Sequence, residues 1–76
     1  MELYRLEENR WGIVTRLELT GPMLRRALDL GLTEGTPVKC VMRSPLGDPY
    51  AYRFRGCVIA MRKKDADGVR VRYGER

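Results

Sequence analysis

The sequence predicts a mainly β fold: a small barrel of about five strands with one short α-helix between the first two. Three observations lead there. Runs in which apolar and polar residues alternate recur along the chain, and a period of two belongs to a strand with one buried face. Only one stretch, between Gly21 and Gly31, spaces its apolar residues by three and four, as a helix does. The chain has 76 residues, a size that buries only about 60–65% of the surface its unfolded form exposes. Five short strands laid flat would leave two edges and half a core in water, and closure into a barrel removes both problems. No repeat, low-complexity tract or linker interrupts the pattern, so residues 1–76 read as one domain.

Taken in order, Leu3 and Leu6 precede a polar patch, Glu7-Glu8-Asn9-Arg10, in which Asn9 suits the left-handed position of a turn. Trp11 to Leu19 alternates as a first strand, with Trp11, Ile13 and Leu17 facing inward. Thr20-Gly21-Pro22 turns the chain into the helix: proline fits the first helical position, where its missing N–H has no intrahelical partner to lose. Met23, Ala27 and Leu30 form the buried stripe, widened by Leu24 and Leu28, while Arg25, Arg26 and Asp29 face water. Gly31 stops the helix in the left-handed conformation, and Leu32 folds back on its last turn. Thr33-Glu34-Gly35-Thr36 carries glycine third, as a type II turn demands. A second strand holds Val38 and Cys40 inward and runs into the proline-bounded loop Ser44-Pro45-Leu46-Gly47-Asp48-Pro49. Tyr50, Tyr52 and Phe54 alternate with Arg53 and Arg55 in a third strand, which Gly56 breaks before a fourth, Cys57 to Met61, with Ile59 and Met61 inward. Residues 62–67 are polar and suit one helical turn; Val69, Val71 and Tyr73 make the last strand, and Gly74-Glu75-Arg76 is expected to fray.

Composition excludes more functions than it suggests. There is no histidine, and neither cysteine has a neighbour in sequence suited to act as its base, so catalysis is poorly supplied and an enzyme is not expected. Cys40 and Cys57 fit no metal spacing and read as buried free thiols. Asp65 and Asp67 lie in a lysine-rich turn and read as solvated surface, so neither a metal site nor a cofactor is expected, and the domain should fold without metal. Nothing at the N-terminus reads as a leader or a membrane span, which implies a cytoplasmic location without membrane insertion. The net charge of +5 raises nucleic-acid binding, through Arg53, Arg55, Arg62, Lys63, Lys64, Arg70 and Arg72. Arginine there simply alternates with core residues, the pattern of a solvated outer face, so nucleic acid is kept as the alternative and not the expectation.

One constellation is specific. Leu24-Arg25-Arg26-Ala27-Leu28-Asp29-Leu30-Gly31-Leu32-Thr33-Glu34-Gly35-Thr36, followed by Ser44-Pro45-Leu46-Gly47-Asp48-Pro49 and Arg55-Gly56, resembles the FeoA family of the bacterial ferrous-iron transport system. The resemblance covers nearly the whole chain and departs at Glu8-Asn9, where members often carry Pro-Gly. It implies an SH3-like barrel, a small cytosolic accessory role in iron transport and a protein partner, the membrane transporter FeoB with its cytosolic GTPase domain. An iron chaperone would need clustered oxygen, nitrogen or sulfur ligands, and the sequence offers none.

The partner surface expected from these residues is the loop Ser44, Pro45, Leu46, Gly47, Asp48 and Pro49 together with the exposed helix residues Arg25 and Arg26. A plain hairpin needs only a short polar turn. Two prolines here restrict the chain on both sides of Leu46-Gly47-Asp48, which lowers the entropy lost on binding. Two readings of Leu46 stay open: an apolar tip offered to a partner, or a side chain tucked against the barrel end. Homo-oligomerisation beyond a monomer or a weak assembly is not expected.

Overall fold

The structure, a computed structural model, describes residues 1–75. In chain order it holds a 3-10 turn at Leu3–Arg5, β1 Trp11–Leu17, α1 Gly21–Asp29, β2 Pro37–Arg43, β3 Tyr50–Phe54, β4 Cys57–Met61, the one-turn helix α2 Lys63–Ala66 and β5 Val69–Tyr73. The strands form one antiparallel sheet in the order β4-β3-β2-β1-β5. It curls around a single core drawn from all five strands, and α2 links its two margins through buried Ala66.

Each turn follows from its residues. The α1 terminus is a Schellman motif: the Leu32 N–H donates to the Ala27 carbonyl at 2.8 Å and the Gly31 N–H to Leu28 at 3.0 Å, with Gly31 at φ +91°. Leu32 is thereby folded into the core, and Ala27 is the helix residue packed deepest. The next turn closes with the Thr36 N–H on the Thr33 carbonyl at 3.1 Å and Gly35 at φ +87°. Buried Thr36 is satisfied through its hydroxyl, which donates to the Gly31 carbonyl at 3.3 Å and accepts from the Thr33 N–H at 3.2 Å. The β3–β4 connection is a two-residue turn in which Arg55 and Gly56 both have positive φ, 49° and 77°, the pair of values a type I′ hairpin requires.

The structure corrects the sequence reading at four places. In β1 it is Gly12 and Val14 that face the core, while Trp11 and Ile13 are half-buried outside it. The cause is the N-terminal segment: Leu3 and Leu6 are fully buried, and a Cβ built on Gly12 would lie 3.5 Å from Leu6 Cδ1 and 3.4 Å from Val71 Cβ, so Leu6 fills the space the strand gives up. A register shift between Val14 and Arg16 then returns Leu17 to the core side, and the strand ends there instead of at Leu19. Leu28 does not extend the helix stripe but stands 46% exposed, while Ala27 is buried, Leu30 packs against the core and Met23 and Leu24 are half-buried. Gly74 does not fray: its N–H donates to the Trp11 carbonyl at 3.3 Å and Ile13 packs where a Cβ would be; Arg76 lies outside the described residues. Cys40 is buried and Cys57 half-buried, both as free thiols.

Candidate functional site

The loop from Ser44 to Pro49 is built as a stiff tip. Pro45 follows Ser44 in a turn closed by the Gly47 N–H on the Ser44 carbonyl at 2.9 Å, and Gly47 sits at φ +94°. The Ser44 hydroxyl accepts from the Leu46 N–H at 3.3 Å, and the Ser44 N–H closes the base on the Pro49 carbonyl at 3.2 Å. The Asp48–Pro49 peptide is cis. Asp48 reaches out of the loop: its Oδ1 accepts the Lys63 N–H at 2.7 Å, satisfying a donor at the start of α2 that has no intrahelical partner. Between these ties Leu46 is 95% exposed, so it does not tuck against the barrel.

Arg25 and Arg26 are exposed on α1, with Arg25 facing Asp29 at 3.9 Å across one helical turn, a contact of little energetic weight at such exposure. The structure does not gather them with the loop. The C-terminal end of α1 is tied to the far end of β3, where Arg55 Nε donates to the Gly31 carbonyl at 2.7 Å, whereas the loop leads into the beginning of that strand.

A second feature escaped the sequence reading. On the outer face, register sets Trp11 beside Lys39 and Lys39 beside Arg53, across β1, β2 and β3. With Pro37, Phe54 and Arg55 they line a shallow cleft of about 500 Å³. On the other side of Trp11 a cleft of about 460 Å³ contains Arg10, Tyr73 and Glu75. There the Arg10 guanidinium lies 4.3 Å from the Tyr73 ring centroid, and the Tyr73 hydroxyl donates to Glu7 at 2.6 Å. That hydrogen bond holds the Glu7 carboxyl below its ordinary pKa and raises the Tyr73 phenol above its own.

Among the described residues no three His, Cys, Asp or Glu side chains gather as metal ligands, and no helix is long and apolar enough to cross a membrane. A five-stranded, curled antiparallel sheet with one helix between its first two strands defines a small SH3-like domain. The FeoA domain family matches residues 1–73, and the chain belongs to that family. It is 30% identical over 71 residues to a fusion of Fe(2+) transport protein A with the Fe(2+) transporter FeoB from Porphyromonas gingivalis, covering 93% of this chain and 8% of that protein. It thus spans less than a tenth of the curated relative it matches. The solution structure of FeoA from Chlorobium tepidum superimposes with a TM-score of 0.89 at 33% identity, over 96% of this chain and 70% of the other. The crystal structure of Stenotrophomonas maltophilia FeoA complexed with zinc, described as a prokaryotic SH3 domain protein, superimposes with a TM-score of 0.83 at 25% identity, over 93% and 88% of the two chains.

Proposed function

We propose that this domain is a non-enzymatic accessory module of ferrous-iron uptake, which works in the cytoplasm by docking on a FeoB-type membrane transporter. The P. gingivalis relative supports the pairing, because it joins both proteins in one polypeptide and so keeps them at high effective concentration. The observation that carries the reading is the Ser44–Pro49 tip, an apolar side chain 95% exposed on a loop fixed at its base and through Asp48. A leucine held in water gains nothing for the fold, whereas burying it in a partner's pocket is worth roughly 1.5–3 kcal/mol. Arg25 and Arg26, on another part of the surface, add charge that speeds encounter more than it strengthens the complex.

The test is a pull-down of the FeoB-type transporter in detergent, paired with thermal melts. Leu46→Asp should leave the melting midpoint within about 4 °C, as for an exposed surface substitution, and should abolish capture, since an unpaired carboxylate would have to enter an apolar contact. Unfolding by Leu46→Asp would make the loop part of the core, and undiminished capture would put the docking surface elsewhere.

A further inference from the structure

From the outer face of β1, β2 and β3 we infer a second binding site, a cleft that takes an extended acidic segment of a protein partner with apolar residues at both ends of its acidic run. The register fixes the order of side chains across the sheet: Trp11, Lys39, Arg53 and then Val58 of β4. The row therefore reads apolar, cation, cation, apolar. Trp11 is half-buried and lines the cleft with Lys39 and Arg53, which projects into solvent; Val58, 51% exposed, is the next side chain of the row, on the sheet surface just beyond the cleft's lining.

Charge sets the kind of occupant. Arg5, Arg10, Arg16, Arg25 and Arg70 each face a carboxylate of this chain, but among the described residues Lys39, Arg53 and Arg55 face none within ion-pair distance. Among the described residues, no acidic side chain lines the cleft. An incoming carboxylate thus meets three cations without displacing a carboxylate of the described residues. Arg55 is also held in place before binding, because its Nε donates to the Gly31 carbonyl at 2.7 Å and its backbone is locked in the β3–β4 turn, which reduces the entropy lost when its guanidinium is engaged.

Geometry sets the length. Neighbouring strands lie about 4.8 Å apart, so Trp11 and Val58 are separated by about 14 Å. An extended chain advances about 3.3 Å per residue, and about four residues cover that distance. The occupant therefore carries two apolar residues four positions apart with acidic residues between them. A nucleic-acid strand fits less well: a phosphate track needs cations that continue along the backbone, and here the row ends in valine on one side while Glu75 lies in the adjoining cleft on the other.

Trp11 is the only tryptophan of the chain, so its emission reports on the cleft directly. The site rests on the adaptor reading only for the source of the segment, the cytosolic part of the transporter; the experiment uses the isolated chain and a synthetic probe. Titrated with the capped peptide Ser-Leu-Glu-Glu-Glu-Leu-Ser, Trp11 emission should change saturably. The glutamine counterpart of the peptide should bind at least about tenfold more weakly, and raising salt to about 0.5 M should weaken the acidic peptide similarly. The double variant Lys39→Glu, Arg53→Glu, or the milder Lys39→Gln, Arg53→Gln if the first fails to fold, should lose about tenfold in affinity, while Leu46→Asp should bind the peptide as the parent does. No response to the acidic peptide, equal binding of the glutamine peptide, or an unaffected double glutamine variant would each overturn the site. Tighter binding of an eight-nucleotide oligothymidylate than of the peptide would overturn it in favour of nucleic acid. Failure of the parent domain itself to capture the transporter, with its peptide binding intact, would refute the adaptor reading alone.

Discussion

Two corners of this small barrel place a leucine beside a left-handed glycine and reach opposite results. At Leu30-Gly31-Leu32 the glycine has φ +91° and Leu32 is fully buried; at Pro45-Leu46-Gly47 it has φ +94° and Leu46 is 95% exposed. The local backbone chemistry is nearly the same. The difference is the position of the leucine relative to the glycine and the owner of the hydrogen bonds around it. Leu32 follows its glycine, and its own N–H is drawn back to the Ala27 carbonyl, which carries the side chain under the helix. Leu46 precedes its glycine inside a turn closed between Ser44 and Gly47, so its side chain points off the outside of the bend. The first corner closes the core. The second holds a side chain away from it.

That contrast predicts a ranking of stability losses. Leu32→Ala should cost most, roughly 2–5 kcal/mol as for other fully buried leucines, and Leu46→Ala should cost under about 0.5 kcal/mol as an exposed change; urea melts of both would break the comparison if the midpoints moved together. The glycines refine it. Gly31→Ala and Gly47→Ala both place a Cβ on a left-handed backbone, a penalty of about 1–2 kcal/mol. At Gly31 the added Cβ would also lie 2.6 Å from Arg55 Cδ, the side chain that donates to the Gly31 carbonyl, whereas at Gly47 nothing lies within 4 Å. Gly31→Ala should therefore be the more destabilising of the pair, and Gly31→Ala combined with Arg55→Ala should cost less than the two singles added together. Full additivity in a double-mutant cycle would show that the collision is relieved elsewhere.

How much of this was legible in the chain follows the range of the interactions. Strands, helix, the Schellman stop and the Gly35 turn are written in spacings of a few residues, and they were readable. The face of β1 was not, because Trp11 to Leu17 alternates apolar residues on both sides: Ile13 and Val14 are equally good core residues, and the choice between them was made by Leu3 and Leu6 packing over Gly12. The outer cleft is lost with it, since alternation alone places its tryptophan in the core. The loop was visible as a proline-bounded segment, but its separation from Arg25 and Arg26 depends on the Arg55–Gly31 contact, which spans 24 positions and leaves no periodic trace. The tie from Asp48 to the Lys63 N–H, across 15 positions, is hidden for the same reason.

That tie yields a small stability effect and the sharpest separation of the two corners. Asp48 does for α2 what a cap residue does within a helix, accepting a first-turn N–H from outside, and Arg62, the residue that precedes α2, makes no side-chain cap of its own. Removing such a cap costs about 0.5–2 kcal/mol, and the exposure of this hydrogen bond puts Asp48→Ala at the low end, because water replaces the lost acceptor. Its larger consequence is dynamic. Without the tie the loop keeps only its own turn and base hydrogen bonds, so Leu46 should sample more positions and lose more entropy when a partner fixes it. Asp48→Asn, which keeps an acceptor oxygen, should restore both the tie and the capture of the transporter that Asp48→Ala weakens. Amide hydrogen exchange at Lys63 and relaxation of the Leu46 methyls would follow the two variants: faster exchange and looser methyls in Asp48→Ala, near-parent values in Asp48→Asn. Rigid Leu46 methyls in Asp48→Ala would mean that the turn between Ser44 and Gly47 holds the tip unaided, and the tie to α2 would then belong to the fold alone.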